Sequence, residues 1–287
     1  MSLSGELEIR RILLALDASP GSLAALEGAV DLAAKIEAEL SGVFVEDEDL
    51  MRMAESPYAR QILYPSAAGT PTSRVSVERE LKSQAERARD TLARAAQRAH
   101  IRWSFRVVRG QVTPQLLAAA GEGDLLAVGR VSWHRAPSGG IGSTAFTLAA
   151  SGVPLLLAAQ RMRLGNVALA VYYDGSSAAQ GALLTAARLA RAGAGSVTVL
   201  LAAKEAERPA LRRQADEQLR LAGVAMRHRR VTPGDQTSLL EALHGERAGL
   251  LVMPSHTPFH HREALEKLLR KIDTPVLWLG DGSEAEG

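Results

Sequence analysis

Residues 125–157 read LLAVGRVSWHRAPSGGIGSTAFTLAASGVPLLL, and this stretch decides the fold. An apolar run from Leu125 to Val128 stops at Gly129. A glycine-rich loop with Ser138, Gly139, Gly140 and Gly142 follows, a helical segment begins at Ser143, and a second apolar run starts after Pro154. Short apolar runs bounded by turn residues read as buried strands, so the order is strand, loop, helix, strand. Glycines let backbone amides approach an oxyanion closely, and a helix N-terminus offers unpaired N–H groups and partial positive charge. The hydroxyls of Ser143 and Thr144 sit at that helix start. Such a loop suits phosphate, with a plain surface connection as the alternative.

Upstream, Ile12 to Leu16 (ILLAL) is a short apolar run ending at Asp17, and DASPGS leads into the periodic segment Leu23 to Leu40. Strand then helix is the reading. In a parallel sheet the strand's carboxyl end faces the ligand crevice, which places Asp17 there; a helix N-cap or turn role is the alternative. Leu40 to Val45 reads as a second strand and runs into Glu46-Asp47-Glu48-Asp49, a solvated acidic turn, since no calcium-loop glycine or spacing follows. The segment 50–76 holds three prolines and reads as a short amphipathic helix plus a loop, a surface insertion or a lid over the site. An amphipathic helix covers Val77 to His100, a strand Trp103 to Val108, and a helix opens at Thr113-Pro114 with a hydroxyl N-cap. Five strands near residues 12, 42, 104, 126 and 155, alternating with helices, give a parallel sheet wound on both faces.

A second copy follows a joint at Arg161 to Gly165. Leu169 to Tyr173 followed by Asp174-Gly175-Ser176 repeats Leu13 to Leu16 followed by Asp17-Ala18-Ser19, and Leu183 stands nine residues after Asp174 as Leu26 does after Asp17. The later strands and helices recur in order through Val276 to Leu279, while segment 50–76 has no counterpart. Pro254 stands where the first copy has Gly129. Counting back from Pro154 and Pro275, Gly142-Ser143 aligns with Glu263-Ala264, and the second loop is four residues shorter. A carboxylate at a helix start competes for the place of a phosphate, so only the first copy is expected to hold a nucleotide.

The spacing of Gly129, two residues, Ser132, nine residues, then Gly142-Ser143 resembles the nucleotide signature of the universal stress protein family. That signature is Gly, two residues, Gly, nine residues, Gly, then Ser or Thr; Ser132 replaces its second glycine. The resemblance extends over both halves and implies two Rossmann-like domains of the adenine nucleotide alpha hydrolase type, at residues 1–162 and 163–287, the second degenerate. Each would be a five-stranded parallel α/β sheet with helices on both faces. It further implies a cytoplasmic stress-response protein binding an adenine nucleotide, ATP with magnesium, in the first domain. Asp17, Ala18, Ser19 and Val45 would lie against adenosine, with a backbone group of Val45 at adenine. Gly129, Ser132, Gly142, Ser143 and Thr144 would take the phosphates and ribose. Related tandem proteins pack their halves through the last strands, here Pro154 to Leu157 and Val276 to Leu279, as an internal dimer that can dimerise further. A nucleotide-free scaffold for protein partners, with both pockets vestigial, is the alternative.

Other classes are disfavoured. With 34 basic and 32 acidic side chains the charge is +2, which is no footprint for nucleic acid. There is no cysteine, hence no disulfide or thiolate chemistry, and no apolar run of membrane-spanning length. No Walker lysine motif occurs, and SGGIGS lacks the aspartate of an ATP-pyrophosphatase loop. No nucleophile stands with an ordered base, which leaves weak ATP hydrolysis, or turnover of an adenosine-containing or other small substrate, as the enzymatic reading. His256 and His260, four apart, have helical metal spacing, but Pro254 and Pro258 oppose a helix there and no third ligand is evident, so no metal is expected.

Overall fold

A computed structural model describes residues 9–17, 20–55, 60–62, 69–71, 73–129, 147–158, 168–193, 195–259 and 261–280. Its centre is one sheet of ten strands in the order β10-β9-β8-β11-β12-β7-β6-β1-β2-β5. The first five-strand set is β1 (Arg11–Leu16), β2 (Glu39–Asp47), β5 (Trp103–Gly110), β6 (Asp124–Gly129) and β7 (Leu155–Ala158). The second is β8 (Ala168–Tyr173), β9 (Ser196–Ala202), β10 (Met226–Val231), β11 (Leu250–Pro254) and β12 (Val276–Leu279). Within each set every pairing is parallel, and the order along the sheet is the same, with the first strand of the set in the middle.

The sets meet at β12 and β7, the one antiparallel seam, with Val276 opposite Leu157 and Trp278 opposite Leu155. Just beyond the seam, a Cβ on Gly280 would fall inside the backbone carbonyl of Gly152, so only glycine permits this approach.

Side chains alternate across the sheet as the two-residue period of a strand demands. Ile12, Leu14 and Leu16 join one core, Leu13 the other. The first core lies beneath α1 (Pro20–Ile36), α3 (Arg74–Arg98), α5 (Ser177–Gly193) and α6 (Arg208–Leu221); the second lies beneath α4 (Val112–Ala119), residues 147–150, α7 (Gln236–Glu246) and α8 (Arg262–Lys271). The inner strands are covered on both faces, which is why they read as continuous apolar runs rather than alternating ones, unlike the edge strands β5 and β10. At the amino end of the sheet, the buried Asp124 accepts from Arg11 Nε at 2.9 Å and from the Gly121 amide at 2.6 Å, tying β1 to β6.

Three local expectations need correction. Helix α4 begins at Val112 with Gln111 as N-cap, two residues before the hydroxyl cap expected at Thr113. Pro114 is therefore the third helical residue, where its missing N–H costs no intrahelical bond. Helix α3 begins at Arg74 because Ser73 and Ser76 cap each other's backbone amides in a reciprocal box. The segment expected to be a helix and loop contains α2 (Glu48–Ala54) and an antiparallel hairpin of β3 (Arg60–Ile62) and β4 (Gly69–Pro71). Among the described residues no helix is long and apolar enough to cross a membrane.

Candidate functional site

Strand β1 lies between β2 and β6, and the chain runs from β1 through β2 to β5 on one side before returning to β6 and β7 on the other. The carboxyl ends of β1 and β6 therefore flank a topological switch point, where α/β sheets open a ligand crevice. The register brings three predicted residues to this end. Leu16 pairs with Phe44, so Asp17 stands level with Val45; Leu14 pairs with Ala127, which puts Gly129 level with Leu16. Gly129 is buried and pairs with Ala158, and Val45 is half-buried opposite Val108. The Asp17 amide donates to Ser22 Oγ at 3.0 Å, which ties the strand end to the first turn of α1. Ala18, Ser19, Ser132, Gly142, Ser143 and Thr144 lie outside the described residues.

The acidic run beside the crevice is engaged in local structure. Asp47 caps α2 by accepting from the Asp49 amide at 2.9 Å, Glu46 pairs with Arg109 at 2.9 Å, and Asp49 pairs with Arg52. No group of three or more potential metal ligands occurs among the described residues. His256 lies in the turn after β11 and His261 at the N-cap of α8, both exposed; His260 lies outside the described residues.

The equivalent end of the second set is built differently. Asp174 Oδ1 accepts from the Ser176 amide at 3.0 Å and from its hydroxyl at 2.6 Å, while Ser176 Oγ accepts from the Ala179 amide at 3.2 Å, so this aspartate anchors a helix cap. Gly175 has φ +85°, and a Cβ there would collide with Leu211 of α6. In register terms Tyr172 and Tyr173 occupy the places of Ala15 and Leu16, and both tyrosines are fully buried, whereas Ala15 is only partly so. Phe259, 2% exposed, closes onto Tyr172 edge to face with ring centroids 6.0 Å apart, and Pro258 approaches Gly234. Burial, reinforced by the charge of Asp174, pushes both phenols up to about 12, so they stay neutral.

Glu263, expected to take the place of a phosphate, turns along the surface of α8 instead. Its carboxylate is exposed and held below its ordinary range by a 2.7 Å hydrogen bond from Lys267. The aromatic plug was missed from the sequence. Its signal is Tyr172, two residues before Asp174 where the first strand set has Ala15, in a chain with 4% aromatics.

A doubly wound parallel sheet with its crevice at the switch point defines a Rossmann-like α/β protein. Residues 8–157, just over half of the chain, match the model of the universal stress protein family, and the chain belongs to that family. A universal stress protein from Archaeoglobus fulgidus shares the fold across 96% of this chain and 100% of its own, with a TM-score of 0.71 at 17% identity. A protein described as a universal stress protein from Pseudomonas aeruginosa gives 0.56 at 13% identity over 94% and 93%. The cytoplasmic domain of a prokaryotic cation chloride cotransporter gives 0.53 at 15% identity, over 96% of each chain. At such identities the likeness is one of fold. No curated protein matches the chain.

Proposed function

We propose that this chain is a cytoplasmic stress-response protein that binds an adenine nucleotide, ATP with magnesium, at the carboxyl ends of β1, β2 and β6. One observation carries the reading: Asp17, Val45 and Gly129, distant in sequence, lie within one residue of the same level at the switch point of the half that matches the family. Gly129 suits the role, because a buried glycine at the strand end lets backbone approach a ligand closely. In this reading Asp17, with Ala18 and Ser19, holds the adenosine, and the backbone at Val45 meets adenine. The loop with Ser132 and Gly142 wraps the phosphates, to which the amides and hydroxyls of Ser143 and Thr144 donate.

Residues 163–287 form, in the same reading, a degenerate second copy of the domain. Phe259 and Tyr172 pack apolar bulk against each other at its strand ends, which supports one nucleotide per chain rather than two.

Calorimetric titration of the intact protein with ATP and magnesium, beside Gly142→Glu, tests this. One site per chain in the wild type, weakened at least about a hundredfold by a carboxylate placed among the phosphate donors, is the expected result. No heat and no thermal shift with any adenine nucleotide would overturn it and leave the scaffold reading in its place.

A further inference from the structure

The sheet ends at β5 on one side and β10 on the other, and the two edges are finished differently. The pairings of both halves set Trp103, Phe105 and Val107 of β5 in the places of Met226, His228 and Arg230 of β10. Edge strands are normally blunted by charge, and β10 follows that rule. β5 carries charge at Arg106 and Arg109, but the face of Trp103, Phe105 and Val107 sets two aromatics and a valine at the edge, the valine 46% exposed. Those three residues floor a groove of about 470 Å³ whose wall is α3, through Lys82, Glu86 and Arg89.

We infer that this groove and the open edge of β5 bind an extended acidic peptide of a partner protein as an eleventh strand. The outer backbone groups of β5, which pair with no strand among the described residues, supply the ladder, and alternate apolar side chains of the peptide fill the groove over Phe105 and Val107. Charge selects the occupant. Lys82 and Arg89 on the wall, Arg106 on the other face of the strand and Arg102 just before it pair with no carboxylate among the described residues; of the two acids that line the groove, Glu46 is held by Arg109 and Glu86 is unpaired. Arg106 donates only to the Ala119 carbonyl, at 3.1 Å, and Arg109 is matched by Glu46. A second copy docking β5 against β5 would set these arginines against their own kind, which like-charge repulsion opposes.

Fluorescein-labelled eight-residue peptides test the inference on the full chain: alternating Val and Glu, alternating Val and Lys, and a block Val-Glu peptide of the first one's composition. Anisotropy reads binding, and amide exchange reads protection of residues 103–110. The alternating acidic peptide should bind and protect the strand while the other two do not, and Val107→Arg should weaken it at least about tenfold. That variant places on an exposed site the residue type β10 carries at Arg230, so its fold is retained. Equal binding of the lysine or block peptide, an unaffected Val107→Arg, or no binding overturns the inference. So does self-association of the wild type in sedimentation that Val107→Arg removes, which would make a second copy the occupant.

Discussion

The carboxyl ends of the two strand sets share a topology and differ in what fills them. At the first, Ala15 and Leu16 precede Asp17, and β6 stops at a buried glycine. At the second, Tyr172 and Tyr173 precede Asp174, β11 stops at Pro254, and Phe259 packs onto Tyr172. Two phenol rings, one on each face of the sheet, stand where the first set has a methyl and an isobutyl group, and Asp174 anchors a helix cap. The two ends thus differ less in a charge at a helix start than in side-chain volume at strand ends.

Removing the plug should break this contrast most visibly. Phe259→Ala deletes a buried ring from a packed site and is expected to cost about 3–5 kcal/mol in urea unfolding. Nucleotide titration of the same variant should still report one site; a second binding event would mean that the ring alone keeps the second crevice shut.

Gly175→Ala acts on the same turn with a smaller effect. Its left-handed backbone and the contact with Leu211 make about 1–3 kcal/mol the expected loss, read by the same denaturation. Ala18 stands at the equivalent position of the first half, so an unchanged stability would show that both turns accept the same backbone.

The smallest effect is expected at His228, which has Phe105 as its counterpart. Burial lowers its pKa below 6.5; Arg212 adds to that effect, and Asp216, 2.8 Å away, opposes it. A histidine with a depressed folded-state pKa is harder to protonate folded than unfolded. Its contribution is therefore complete above about pH 6.5 and is lost as pH falls from there toward the folded-state value. His228→Gln should flatten that part of the stability profile, measured as the difference between wild type and variant from pH 7 to 5. An unaltered profile would assign the slope to other groups.

The regular elements were legible because strands buried on both faces leave continuous apolar runs, such as ILLAL and LLAV, and because the helices between them keep a 3.6-residue period. The Asp17 to Asp174 correspondence also pointed to the strand order that the two sets share. What escaped was decided by local competition. Pro114 drew the expected helix start toward itself, although a proline is tolerated through the first turn. The Ser73–Ser76 box extended α3 back from the start its apolar stripe gives. The hairpin of β3 and β4 gives no alternating pattern, since GTP at Gly69–Pro71 has no apolar side to display. Asp17 and Gly129 could be placed from spacing, but the plug could not, because it depends on side chains meeting across separate strands and turns.

The antiparallel seam between β7 and β12 has a consequence for how this molecule responds to dilution. Two separate subunits joined along such strands would part as their concentration fell, since their folded assembly depends on mass action. Here both sides of the seam belong to one chain, so closure is intramolecular and governed by a local effective concentration that dilution leaves untouched. Either strand set can then carry its own residues at the rim, as the second carries Tyr172 and Phe259, while the seam stays closed.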